Sequence, residues 1–230
     1  MNAEYLLRLF RRETGDMEES YLWSNEEVLV YMDDAYKMFI RLTGGVADCT
    51  SPLCTLEVKA GENTAEIDTR ILRVMRAVRA SDNELVDIIN ITDLMKMSRD
   101  DYGVIRPLYM DKTPGPVRYM VIGRQRGLVQ WVQVPKEDDQ VLLDVYRLPL
   151  TSVKPDGSNL TFSFPEIGEE HHYYLLKWMM HRGYDKRDSD LFDPVKAEKF
   201  KADFISYCDM AKAEWERSKH KTRIVGYGGL

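Results

Sequence analysis

The chain has 230 residues, of which 44% are hydrophobic and 30% charged, with a formal net charge of −6. That is one large domain or two small ones with ample apolar material for a core, which excludes a wholly disordered chain. No run of about 18 apolar residues occurs, so no membrane-spanning helix is expected, and the acidic balance confines any duplex-coating basic face to a local patch.

Met1 to Phe10 is too short in its apolar part, and too interrupted by charge, to read as a signal peptide. A first short helix uses Tyr5, Leu6, Leu9 and Phe10, and Gly15 with the acidic stretch Asp16 to Glu19 forms a loop after it. The clearest helix runs from about 25 to 43. Ser24 and Glu27 make an S-x-x-E capping box, Val28, Met32, Ala35, Phe39 and Leu42 form one apolar stripe, and Gly44-Gly45 ends it.

The middle of the chain changes character. Leu53 to Val58 alternates, residues 71–79 read as a strand, and Asp82-Asn83 turns the chain into Leu85 to Ile89. Thr92 to Ser98 is predicted as one short helix. Val117 to Ile122 and Leu128 to Val134 flank Gly123-Arg124-Gln125-Arg126-Gly127 as a hairpin, and Val141, Leu143 and Val145 alternate with Leu142, Asp144 and Tyr146. Short strands with turn residues between them are the pattern of a β-sandwich or barrel. Pro149 to Pro165 is a loop-rich return with its turn at Pro155-Asp156-Gly157.

Two helices follow. The first spans about 168–182, with Glu169 and Glu170 in its first turn, His181 and Arg182 in its last, and Gly183 just beyond. The second runs from about 194 to 218, with Asp193 as N-cap, Pro194 at N1 and a stripe of Phe200, Phe204, Tyr207, Ala211 and Trp215. The remainder, Arg217 to Leu230, carries Arg217, Lys219, Lys221 and Arg223 with no acid, and reads as an extended basic arm. Ile224, Val225, Tyr227 and Leu230 give the arm apolar anchors, which favours partner docking over a solubilising tail.

Residues able to carry chemistry do not assemble into a known linear motif. The carboxylate pairs Asp33-Asp34, Asp100-Asp101, Asp138-Asp139 and Glu169-Glu170 are sequence neighbours, which point apart on a regular element, so solvated faces and turns are expected. His171, His172 and His181 lack zinc-ligand spacing and read as surface or capping residues. Cys49, Cys54 and Cys208 are too few and odd in number for a disulfide scaffold, so a reducing compartment fits, and Cys208 on the helix stripe reads as a buried structural thiol. The sequons at Asn90 and Asn159 carry no meaning without secretion. Arg70, Arg73, Arg76 and Arg79 recur every third residue, a basic row on a helix but an alternating set on the predicted strand. No phosphate-binding glycine loop, nucleophile elbow or metalloprotease motif occurs, and no cofactor or metal is expected.

The opening Leu9-Phe10-Arg11-Arg12-Glu13-Thr14-Gly15-Asp16, then Tyr21-Leu22-Trp23-Ser24-Asn25-Glu26-Glu27, then Val30-Tyr31-Met32-Asp33-Asp34-Ala35, resembles the N-terminus of tailed-bacteriophage head–tail adaptor proteins. Asn25 stands where that family usually has Asp, and Asp33 where it often has Asn. Gly115-Pro116-Val117-Arg118-Tyr119 opening a hairpin, and Asp188-Ser189-Asp190-Leu191-Phe192-Asp193 leading to Ala197, are also similar. The resemblance implies a structural virion protein of the head–tail neck, present in the host cytoplasm during assembly. It implies partnership with the portal protein, with a tail or neck protein, and with further copies of itself in a ring, usually of twelve. DNA would pass through the lumen without sequence-specific binding. Carried onto this chain, the portal-binding arm is Arg217 to Leu230, with Arg217, Lys219, Lys221, Arg223, Ile224 and Tyr227 as its contact residues.

The expected fold is α+β: a discontinuous helical bundle (residues 1–48 and 165–218), an inserted β-sandwich-like domain (49–164) and the arm (219–230). The function expected is mechanical connection without catalysis. Two competing expectations are a phage-encoded enzyme such as a cell-wall hydrolase, which needs two converging acids, and a DNA-binding module built on Arg70, Arg73, Arg76, Arg79 and the basic tail.

Overall fold

A computed structural model of the protein describes residues 1–95, 97–99, 105–107, 114–187 and 192–219. The chain divides into two compact units, one helical (residues 1–44 with 149 onward) and one of strands (45–148). The fold is α+β.

The helical unit begins with α1 (Ala3–Thr14) and α2 (Asn25–Thr43), whose ends follow from capping chemistry. Asn2 Oδ1 accepts from the Tyr5 amide, Ser24 Oγ accepts from the Glu27 amide, and Gly15 and Gly44 close the helices in the left-handed conformation, at φ 73° and 100°. Only half of the expected capping box forms, because the Glu27 carboxylate is turned away to the Tyr31 hydroxyl and the Lys186 ammonium. Leu6, Leu9, Phe10, Val28, Met32, Ala35 and Phe39 are buried as the stripes predict, Leu42 is half-buried, and Tyr5 is exposed.

Between the two helices the loop is held by a charge. Arg11 and Asp16, each 6% exposed, pair directly. The same guanidinium donates to the Trp23 carbonyl (2.7 Å) and Asn25 Oδ1 (2.8 Å) and lies 3.8 Å from the Tyr21 ring centroid. Asp16 in turn accepts the Leu22 amide at 3.0 Å. Arg11, Asp16 and Trp23, all within the motif that carries the family resemblance, are thus joined in one buried cluster, and the acidic loop is fastened at its first residue.

Two expectations for the later helices need correction. The segment predicted as one helix over 168–182 starts as a 3-10 turn, Glu169–Tyr174, and becomes α3 only at Leu175–Tyr184. Gly183 lies inside α3 rather than after it. A Cβ there would come 3.0 Å from Phe10 Cζ, so the missing side chain lets α1 approach α3. The last helix, α4 (Pro194–Lys219), follows the sequence reading, with Asp193 Oδ1 accepting the Lys196 amide.

The return segment also packs differently from the expected division, which grouped residues 149–164 with the strands. The Ala3 amide donates to the Phe162 carbonyl, the Val153 amide donates to Asp33, and the Phe162 and Phe164 rings meet Tyr36 edge-on at 5.8 and 5.4 Å. Burying Phe164 fully and Phe162 in part favours the helical unit over a solvated return loop.

In the other unit, β10 (Asp139–Arg147) is the centre of a four-stranded antiparallel sheet. It pairs with β4 (Ile71–Arg79) on one side, and with β2 (Thr55–Val58) and β1 (Val46–Asp48) on the other. A second four-stranded sheet has the order β3 (Thr64–Glu66), β9 (Leu128–Trp131), β8 (Tyr119–Gln125), β5 (Asp87–Ile89). Leu56, Val58, Ala77, Val141, Leu143 and Val145 from the first sheet share one core with Ala65, Met120, Val129 and Trp131 from the second, as in a sandwich. The predicted helix over 92–98 is a 3-10 turn at Asp93–Met95 followed by β6 (Met97–Arg99), which pairs with β7 (Ile105–Pro107).

Two devices shape these sheets. In the β8–β9 hairpin, Gln125 faces Leu128 across Arg126-Gly127, and a register shift falls around Gly123 at φ 79°, a bulge conformation that glycine takes without penalty. In β4 the register shifts twice, so that Leu72 and Met75 each stand as an extra residue against β10. A second buried ion pair, Asp48 to Arg147, joins β1 to β10. Burial raises the Asp48 pKa, but hydrogen bonds from Ser51, Arg147 and the Thr50 and Ser51 amides outweigh it and hold the carboxyl well below the usual carboxylate range.

Replacing Asp16→Asn leaves Arg11 charged, buried and unpaired, so the helical unit should lose ~3–5 kcal/mol of stability. Urea unfolding followed by tryptophan fluorescence measures this.

Candidate functional site

The residues predicted to meet a partner start on the last turn of α4. This helix has 26 residues and is about 39 Å long at the usual rise per residue. Its first five turns are pinned: Ala197, Phe204, Cys208 and Ala211 are buried, and Phe204 meets Trp178 at 5.2 Å and Phe39 at 6.4 Å. Tyr207 stacks on Tyr174 at 3.3 Å, and its hydroxyl lies 2.9 Å from His171 Nδ1. Burial, with Tyr174, Glu170 and Glu214 nearby, pushes the Tyr207 pKa up to about 12, so it remains a neutral phenol.

Past Ala211 the burial declines. Trp215 is half-buried against Gly44, and the Lys219 ammonium sits 3.0 Å from the centroid of the Trp215 ring. Arg217 and Lys219 are both exposed on the last turn, where cations complement the helix dipole. Lys221, Arg223, Ile224 and Tyr227 lie outside the described residues. The aromatic stack thus fixes the direction in which α4 presents its basic end.

Elsewhere the candidate chemical groups already have structural partners. Asp33 and Asp34 were expected on a solvated face, yet Asp33 accepts the Val153 amide (3.0 Å) and Asp34 accepts Trp178 Nε1 (2.7 Å). His172 and His181, expected at the surface, are 1% and 8% exposed. His172 Nε2 faces the Ile167 carbonyl and His181 Nδ1 the Ala197 carbonyl, so both act as internal hydrogen-bonding groups. Cys208 is buried, as expected, and burial pushes its thiol up to about 12, which makes it unreactive. Among the described residues no group of three metal-ligating side chains occurs. The arginine row is broken up by the strand: Arg79 is buried and pairs with the exposed Asp82, Arg70 is held by Asp68, and Arg73 and Arg76 are exposed.

Sequence reasoning missed the buried roles of Arg11, Asp16 and the two histidines, and the structural hydrogen bonds of Asp33 and Asp34. One signal was present: a charged residue inside an apolar helical stripe, as Arg11 is between Phe10 and Thr14, asks for a partner.

A family model described as SU10 adaptor protein matches residues 1–223. The chain belongs to the SU10 adaptor protein family. This makes it a phage adaptor protein, in agreement with the resemblance drawn from the N-terminal motif, and therefore a virion component that associates with other phage head or tail proteins. No curated protein shows significant similarity to it. The adaptor match spans both compact units and ends within the basic arm.

Burial lowers the pKa of His172 and His181 below the ordinary 6.5. Their neutral forms therefore contribute stability that is complete above 6.5 and is lost as the pH falls below it toward the lowered values, since the unfolded chain takes up the protons first. The unfolding free energy from urea titration should accordingly fall between pH 7.5 and 5.5, by up to ~1 kcal/mol per pH unit for each histidine, and His181→Asn should flatten that slope.

Proposed function

We propose that this protein is a structural head–tail adaptor that forms a ring, usually of twelve copies, between the portal and the tail or the next neck component, with the genome passing through the ring. The observation that carries the reading is the adaptor-family match over residues 1–223. The portal-binding element is the arm from Arg217 to Leu230, including Lys219, Lys221, Arg223, Ile224 and Tyr227. Pinning of α4 by the Tyr174–Tyr207 stack supports this, because a clamped helix holds the exposed Arg217 and Lys219 in one direction.

The role is mechanical and no catalytic step is assigned. In support, the histidines and the Asp33 and Asp34 carboxylates are engaged by the fold, and Cys208 is held as an inert thiol. A net charge of −6 suits a channel that DNA must slide through, since it does not hold phosphates.

Deleting residues 218–230 should leave the circular dichroism and unfolding midpoint of the subunit unchanged while abolishing binding to the cognate portal. Normal portal binding by the truncated chain would overturn the arm assignment. An electron micrograph of the virion neck without this chain in a ring would overturn the adaptor reading itself.

A further inference from the structure

The strand unit has two lateral sides of opposite character. On one side β4 is paired through its inner edge to β10. The segment 84–86 covers its outer edge only at the far end, through Arg79 amide to Glu84 carbonyl and Val86 amide to Ala77 carbonyl, both 2.9 Å. Among the described residues no strand pairs with the outer edge of 71–76. The two register shifts turn Leu72 and Met75 out to 41% and 46% exposure, beside exposed Arg73 and Arg76. A regular edge invites another strand, whereas a twice-bulged edge disrupts the ladder and offers side chains instead.

On the other side, β2 and β3 are the corresponding edges of the two sheets, and they border a cleft of about 440 Å³. Glu57, Glu62 and Glu66 line it with one cation, Lys59, and with Thr55 and Thr64. Glu57 is engaged by Gln140, while Glu62 and Glu66 are exposed. Facing charges on the β4 side are little neutralised. Arg76 stands 3.9 Å from Asp144 with both side chains about half exposed, a weak pair, and Arg73 lies opposite Tyr146 in the ladder.

We infer that the bulged β4 side of one copy seats in the β2–β3 cleft of a second copy, Arg73 and Arg76 against Glu62 and Glu66, with Leu72 and Met75 covered in the contact. Because donor and acceptor surfaces lie on opposite sides of one unit, the contact is head-to-tail. Each added copy leaves one free surface at each end, and the chain of copies ends only by closing. This rests on the ring reading above and names the surface that builds the ring.

The test uses the full chain carrying Cys49→Ser, which removes the exposed thiol, with Met75→Cys and Glu62→Cys introduced singly and together. Each version is added to heads bearing the cognate portal and treated with a short bis-maleimide. The expected result is a ladder of covalent oligomers from the double variant and monomer from each single one. A covalent dimer from Met75→Cys alone would show a two-fold contact and overturn the inference. Monomer from all three, with rings visible by electron microscopy, would overturn the inference and leave the ring reading standing. Monomer from all three without rings would overturn both. A second arm guards against misfolding: Arg73→Glu with Arg76→Glu should reduce ring assembly at least tenfold, and adding Glu62→Lys with Glu66→Lys should restore it. Absence of rescue, with the quadruple variant folded, would also overturn the contact.

Discussion

A guanidinium buried without partners would cost the fold several kcal/mol, and that constraint organises the start of this chain. Arg11 is placed inside by its helix, between Phe10 and the turn at Gly15. The loop must then come to it. Asp16 supplies the charge, the Trp23 carbonyl and the Asn25 side chain supply acceptors, and Tyr21 covers one face. The loop between α1 and α2 is held by this centre although its composition is polar. Trp23, anchored there, then meets Phe10 at 5.4 Å and Tyr184 at 6.5 Å, so the same centre also seats α3.

From α3 the order passes to α4 through rings. Tyr184 stacks on Phe200 at 5.9 Å, Trp178 meets Phe204, and Tyr174 stacks on Tyr207. Aromatic contacts of this kind add directional preference to simple burial. Their consequence for function is geometric. The helix that leads into the basic arm is held along one face as far as Ala211, and that burial falls away at the end where Arg217 and Lys219 stand.

The strand unit solves a different problem. A sandwich has open edges, and an assembling protein must avoid indiscriminate pairing at them. Here β4 is bulged twice and the β2–β3 side is acidic. These features discourage strand addition while leaving two chemically distinct surfaces on one body, which is what a head-to-tail assembly requires.

By itself the sequence determined the types of most elements and the limits of several, though not the strand at 97–99 or the 3-10 start at 169–174. Apolar spacing, Ser24, Gly44 and Pro194 act locally, so the α2 and α4 boundaries and the strand over 71–79 could be read directly, and the N-terminal motif pointed to the adaptor family. The basic arm was also visible as composition. What only the tertiary structure decided were the partners of polar groups. Asp33 and Asp34 look like a solvated pair until Val153 and Trp178, more than a hundred residues away in sequence, arrive to use them. Gly183 looks like a helix stop until Phe10 packs against it, and residues 149–164 look like part of the strand region until Tyr36 meets their phenylalanines edge-on. Capping and periodicity are properties of neighbours in sequence. Satisfaction of a buried polar atom, and close approach at a glycine, are properties of neighbours in space, and no local pattern encodes which segment will be there.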